Sequence, residues 1–182
     1  MRRYIAIGAL WLVWIRGADG AEPAAPDELT LVRDGTPAAV IVLGEHPVKA
    51  ARLAACELRH HLARISGAVL PIVTEPDKVE ADIRLLVGDG GAAASLGFRA
   101  AAFRAQEYAV AFRQRDIVLI GRDRHDHGDM DYERGEGFPS VFDAQGTMYA
   151  AYDFLERHLG VRWYLPTELW HWVSVGYQPL AE

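Results

Sequence analysis

Apolar side chains recur at spacings of three and four in two places along the chain. Val48, Ala51, Ala55, Leu58, Leu62 and Ile65 make one stripe, and Met148, Tyr152, Leu155 and Leu159 make another. Each predicts an amphipathic helix with a single buried face. Pro47 suits the first position of the earlier helix, Lys49, Arg52, Arg59 and Arg64 lie off its stripe, and Gly67 ends it. The Thr147 hydroxyl can cap the later helix, and Gly160 can end it in the left-handed conformation.

Between and around these stripes the pattern changes to alternation or to short apolar runs, which predict strands. Residues 29–33 alternate, Gly35-Thr36-Pro37 reads as a turn, and 38–43 is an apolar run suited to the centre of a sheet. These two runs are expected to pair as a hairpin. Further strands are expected at 69–74 and 82–88, followed by a glycine-rich bend over 88–97 with one helical turn. Residues 107–112 and 116–121 predict a hairpin through Arg113-Gln114-Arg115. A long polar loop follows over 122–145, and a short buried strand over 161–165 is stopped by Pro166. The sum is an α+β fold: one mixed sheet of about six to seven strands, with the two helices on the same face.

The N-terminus has a different character. Arg2 and Arg3 precede an apolar run over 4–15 that is too short to span a bilayer, and Ala18-Asp19-Gly20 offers a cleavage site. Residues 1–20 therefore read as a secretory signal and 21–28 as a Pro/Ala linker. The domain proper is expected over 29–166, with 167–182 as a tail leading to a following domain that this sequence lacks. Removing the leader lowers Lys+Arg from 19 to 16 and Asp+Glu from 25 to 24, so the mature net charge is −8. An acidic protein has no electrostatic attraction to nucleic acid or anionic lipid. The expected location is secreted or periplasmic, with no membrane association after cleavage. Cys56 is the single cysteine, so no internal disulfide can form; it reads as a structural thiol beside the helix stripe.

Few residues suggest chemistry. Glycoside hydrolysis needs two carboxylates about 5–10 Å apart across a cleft. Asp153 and Glu156 share a helix face, but an open helix surface supplies no cleft. His125, His127 and Asp129 could contribute to a divalent-ion site, yet they sit in a polar loop without the framework of known zinc spacings. His60 and His61 are adjacent on a helix, so one must point away from any shared ligand. Gly88-Asp89-Gly90-Gly91 follows a strand but lacks the Lys-Ser/Thr of a phosphate loop and the dinucleotide spacing. No motif calls for a cofactor. Arg162, Trp163 and Tyr164 offer a carboxylate clamp and ring faces for a sugar, or else core packing. Trp170 and Trp172 share one parity on an extended segment and would show together on one side.

Two of these stretches carry a family resemblance. GTMYAAYDFLERHLGVRWYLP, residues 146–166, resembles the closing motif of the N-terminal domain of α-glucuronidases of glycoside hydrolase family 67, and of related secreted bacterial carbohydrate-active proteins. AARLAACELRHHLARISGAVLP, residues 50–71, is similar to the first helix and exit of the same domain, a β-N-acetylhexosaminidase-like accessory unit. The resemblance implies a non-catalytic domain that precedes a catalytic barrel in polysaccharide-degrading hydrolases. A (β/α)₈ barrel needs ~200 residues or more, and 182 are present. The barrel is therefore expected to be missing or separately encoded, and Arg162, Trp163, Tyr164, Trp170 and Trp172 to be interdomain or ligand contacts. The alternative is a free-standing sugar-binding or protein-interaction module built on Trp163, Tyr164, Trp170 and Trp172. The leader generates its own test. Mass spectrometry of exported protein should find Ala21 at the N-terminus, whereas an intact Met1 on exported material refutes cleavage.

Overall fold

The structure is a computed structural model, and it describes residues 4–8, 28–77 and 80–163. A five-stranded mixed sheet runs in the order β5-β4-β6-β8-β7. Its strands are β4 (Ala39–Leu43), β5 (Ile72–Thr74), β6 (Ile83–Val87), β7 (Tyr108–Arg113) and β8 (Asp116–Gly121). β4 pairs in parallel with both β5 and β6, β6 in parallel with β8, and β7 closes the edge antiparallel to β8. Two long helices, α1 (Lys49–Ser66) and α3 (Gly146–Leu159), pack against each other over one face. α1 lies over β4 and β6, and α3 over β8 and β7. The expected α+β fold, with both helices on one side of a mixed sheet, is what the structure shows; that sheet has five strands and not six to seven, because residues 28–37 pair in a separate sheet.

Alternation sorts the strand residues between two cores. Ile41, Leu43, Leu85, Val87, Ile117 and Leu119 face Leu58, Leu62, Phe154 and Leu155 of the helices. Leu86, Val118 and Ile120 face the opposite way. There they meet Ala93 of the short helix α2 (Gly91–Ser95), along with Phe98 and Phe103. β8 is buried along its whole length because both faces are covered.

The expected hairpin between 29–33 and 38–43 does not form. β2 (Glu28–Arg33) turns through Asp34 and Gly35, both at positive φ, into the two-residue strand β3 (Thr36–Pro37). The turn is therefore Asp34-Gly35, and Thr36 and Pro37 pair with β2. β4 is apolar on both faces, and it goes to the middle of the other sheet, where both faces are covered. The partner of β2 on its other edge is β1 (Tyr4–Gly8), from the segment read as a leader and excluded from the fold. In the full-length chain that segment adds a strand to a second, three-stranded sheet.

Three further expectations are corrected. α1 starts after Val48, so Pro47 precedes the helix. Thr147 does not cap its own helix, since its hydroxyl donates to Asp123 and accepts the Gly121 N–H. Val161 to Trp163 is not a strand: Gly160 is left-handed, and the Val161 N–H turns back to the Leu155 carbonyl at 3.1 Å. Tyr164, Pro166, Trp170 and Trp172, and the cleavage site Ala18-Asp19-Gly20, lie outside the described residues. Among the described residues no helix is long and apolar enough to cross a membrane.

α3 reaches β8 through two glycines. A Cβ on Gly146 would fall 2.5 Å from the Glu107 carbonyl oxygen and 2.6 Å from the Arg122 nitrogen, both backbone atoms. Helix propensity alone makes Gly146→Ala stabilising by about 1 kcal/mol. The contact reverses that sign, and a thermal melt should show a loss of about 1–3 kcal/mol. An unchanged or raised melting temperature refutes the close approach. Leu58→Ala, in the fully buried stripe, should cost ~2–5 kcal/mol.

Candidate functional site

In open sheets with parallel strands, ligands usually sit at the carboxyl ends, where the chain order reverses. Here that point lies between β4 and β6, since β4 leads to β5 on one side and β6 to β8 on the other. The crest is closed. Gly44 packs directly on Asp89 and Gly90, leaving no room even for a methyl group. The amides that could cradle a phosphate are already taken by the Glu75 carboxylate, which accepts the N–H groups of Gly91 at 2.7 Å and Ala92 at 2.8 Å.

The start of α3 is filled in the same way. Asp123, buried, accepts the Thr147 N–H at 2.9 Å and the Thr147 hydroxyl at 2.6 Å. Burial pushes this carboxyl above its ordinary value, against the pull of the two Thr147 hydrogen bonds. At the start of α1 the Lys49 N–H donates to the Asp126 carbonyl at 2.7 Å, and its ammonium lies 3.3 Å from the Asp126 carboxylate.

The outer face of α1 and α3 is different. Glu57 projects between the two helices and gathers the polar groups around it. The Tyr132 hydroxyl donates to Oε1 at 2.7 Å, the Tyr152 hydroxyl donates to Oε2 at 3.4 Å, and His61 Nε2 lies 3.4 Å from Oε2. Burial would raise the Glu57 carboxyl, but the hydrogen bonds from His61 and Tyr132 and the charge of the histidines outweigh it and hold it below its ordinary value. Burial, with Glu57 as the adjoining anion, pushes both tyrosine hydroxyls well up. Glu57 is thus a negative charge held by two tyrosine hydroxyls and by His61.

Rings extend from this hub in a continuous line. Centroids are 6.1 Å apart from Phe138 to Tyr132, 6.4 Å on to His60, and 5.3 Å on to His61. The line continues 5.7 Å to Trp163 and 5.2 Å to Tyr152. Trp163 meets His61 at 76° and Tyr152 at 74°, so the rings form corners and not a flat platform. Beside Trp163 a cavity of about 590 Å³ opens along α3. Tyr108, Tyr149, Tyr152 and Trp163 supply its aromatic walls, and Glu57, Asp153 and Glu156 its carboxylates. Asp153 is paired with Arg157 at 2.6 Å, while Glu156 is exposed and lies 4.0 Å from the Arg162 guanidinium.

Of the candidates named from sequence, Trp163 belongs to this site. Arg162 does not line it; its guanidinium donates to the Glu156 carbonyl at 2.7 Å, covers the end of α3, and lies 4.0 Å from the Glu156 carboxylate. His125 and His127 are exposed, with ring centroids 6.3 Å apart, and Asp129 does not join them. Among the described residues no group of three or more His, Cys, Asp or Glu side chains could hold a metal ion. Cys56 is half-buried, and burial pushes its thiol up, away from nucleophilic behaviour. Sequence reasoning missed Glu57 and Tyr132. The four-residue spacing of Glu57 and His61 on α1 was a legible signal.

The hub has a pH signature. A carboxyl held below its ordinary value stabilises the fold above about pH 4.3, the usual glutamate pKa, and loses that contribution as pH falls through its folded value. Glu57→Gln should therefore be less stable than wild type by about 1–3 kcal/mol at pH 7, with the gap narrowing in acid. Chemical denaturation across this pH range is the measurement; a gap that is constant down to pH 3 refutes the ionised hub.

A comparison of the sequence with protein-family models and one with curated proteins each find no match, so the functional reading rests on the geometry of the α1/α3 face.

Proposed function

We propose that this chain is a non-catalytic accessory domain of an exported carbohydrate-active protein, and that it presents the α1/α3 face to a neighbouring catalytic barrel. The observation that carries this reading is Trp163. It is 38% exposed, and it is held edge-on by Tyr152 and His61. A large apolar ring fixed in place, yet left open, is the usual signature of a surface that another unit covers. Val141 and Phe142, in a turn near the end of the long loop, are also exposed, at 78% and 93%.

The carboxylates on this face support a non-catalytic role. A glycosidase acid must be enclosed so that it holds its proton near neutral pH. Glu57 is held as an anion, Asp153 is ion-paired, and Glu156 is open to water. The angled rings also favour docking over a flat sugar-stacking platform.

Two measurements test the proposal. Purified protein should turn over no aryl glycoside or glucuronoxylan fragment; turnover that disappears in Asp153→Asn or Glu156→Gln overturns it. Trp163→Ser should reduce self-association and leave the melting temperature within a few degrees. A loss of several kcal/mol places Trp163 in this domain's own core and removes the docking reading.

A further inference from the structure

The cavity beside Trp163 has walls of one kind. Tyr108, Tyr149, Tyr152 and Trp163 surround it, and every charged side chain lining it is a carboxylate: Glu57, Asp153 and Glu156. Each carboxylate has a basic group beside it that does not itself line the cavity: Arg157 lies 2.6 Å from Asp153, Arg162 4.0 Å from Glu156, and His61 3.4 Å from the Glu57 oxygen that Tyr152 also approaches. Tyr152 and Trp163 meet at 74° with centroids 5.2 Å apart, which makes a corner of two ring faces. A corner of aromatic faces backed by fixed negative charge suits a compact organic cation, which the ring quadrupoles and the carboxylates attract together. The volume of about 590 Å³ is that of a small-molecule site and exceeds a single ammonium group.

We infer that this cavity binds a small organic cation of the alkylammonium class, with the charged nitrogen in the Tyr152–Trp163 corner and facing Glu57. The site goes beyond the accessory role and holds whether or not a barrel covers the same face. It disfavours sugar acids, because a uronate carboxylate would meet a lining whose charged side chains are all carboxylates. Glu57 is held by the Tyr132 and Tyr152 hydroxyls and by His61.

The experiment is a titration of the full chain with choline, followed by tryptophan fluorescence and by calorimetry. Its neutral isostere 3,3-dimethylbutanol and glucuronate serve as controls. Choline should bind saturably and about tenfold more tightly than the neutral isostere, the scale of one desolvated cation–π contact. Glucuronate should not bind. Trp163→Ala should weaken choline by a similar factor, and Trp163→Phe should restore part of it. Glu57→Gln tests the charge; if that variant folds poorly, Glu156→Gln at the open rim should still weaken choline by about twofold and reduce the salt dependence. Equal affinity for choline and its isostere, no saturation, or unchanged affinity in Trp163→Ala overturns the inference. These readouts concern a ligand, so they separate its failure from any failure of the docking reading, which self-association reports.

Discussion

The fold depends on how closely α3 approaches the end of β8. Gly121 and Gly146 face each other there, and neither has room for a Cβ. The approach brings the Thr147 hydroxyl and N–H onto Asp123, and the Gly121 N–H onto the same hydroxyl at 3.2 Å. Asp123 and Gln145 also form an antiparallel bridge. Strand end, helix start and the two ends of the 22-residue connection between them, 124–145, are therefore one junction. Burial raises the Asp123 carboxyl, so its charge opposes folding while its hydrogen bonds support it. The junction is tolerable because no buried side-chain nitrogen or oxygen in it lacks a partner.

That junction decides where a ligand can and cannot go. The amide groups at the starts of α2 and α3 are saturated by Glu75 and Asp123, and a backbone carbonyl of the same chain meets α1 at Lys49. An anion arriving at the crest would have to displace a carboxylate already in place. The outer face of α1 and α3 is under no such constraint. With the junction closed, the 124–145 connection is tethered at both ends and lies across α1, pinned by Lys49 with Asp126 and by Arg52 with the Gly128 carbonyl. This path delivers Tyr132 to Glu57.

The helices were legible because their stripes are local: Leu58, Leu62, Leu155, Leu159 and Met148 are all buried, and only Tyr152 of the second stripe stays partly open. The β7–β8 hairpin was legible for the same reason, its turn being two residues long between matched runs. What depends on distant parts of the chain was not. The Asp34-Gly35 turn announces a hairpin but not that its second arm is two residues long, so β4 looked like the partner of β2. The polar loop over 122–145 looked like a solvated insertion because its work is done by a single hydroxyl 75 residues from Glu57. Thr147 has the right chemistry for a cap and the right position, but Asp123 competes for the same hydroxyl and wins through burial. Glu57 itself sits beside the apolar stripe of α1, and its only local signal is His61 four residues on, which a solvated pair would also show.

The last step concerns why the hub is ionised and not apolar. A buried charge with one partner removed costs several kcal/mol, and a well-packed apolar replacement is often neutral or better. Stability alone therefore gives no reason to keep Glu57 between two helices. Its three neighbours supply one. Tyr132, Tyr152 and His61 come from the loop, from α3 and from α1, and the carboxylate fixes all three with bonds whose directions a leucine cannot impose. Trp163 then rests against two of those rings. The charge thus converts a loop, two helices and the exit segment into one rigid surface in which each ring holds a set angle. Rigidity of that kind lowers the entropic cost of any later contact, and it is an advantage to a face that something else must recognise.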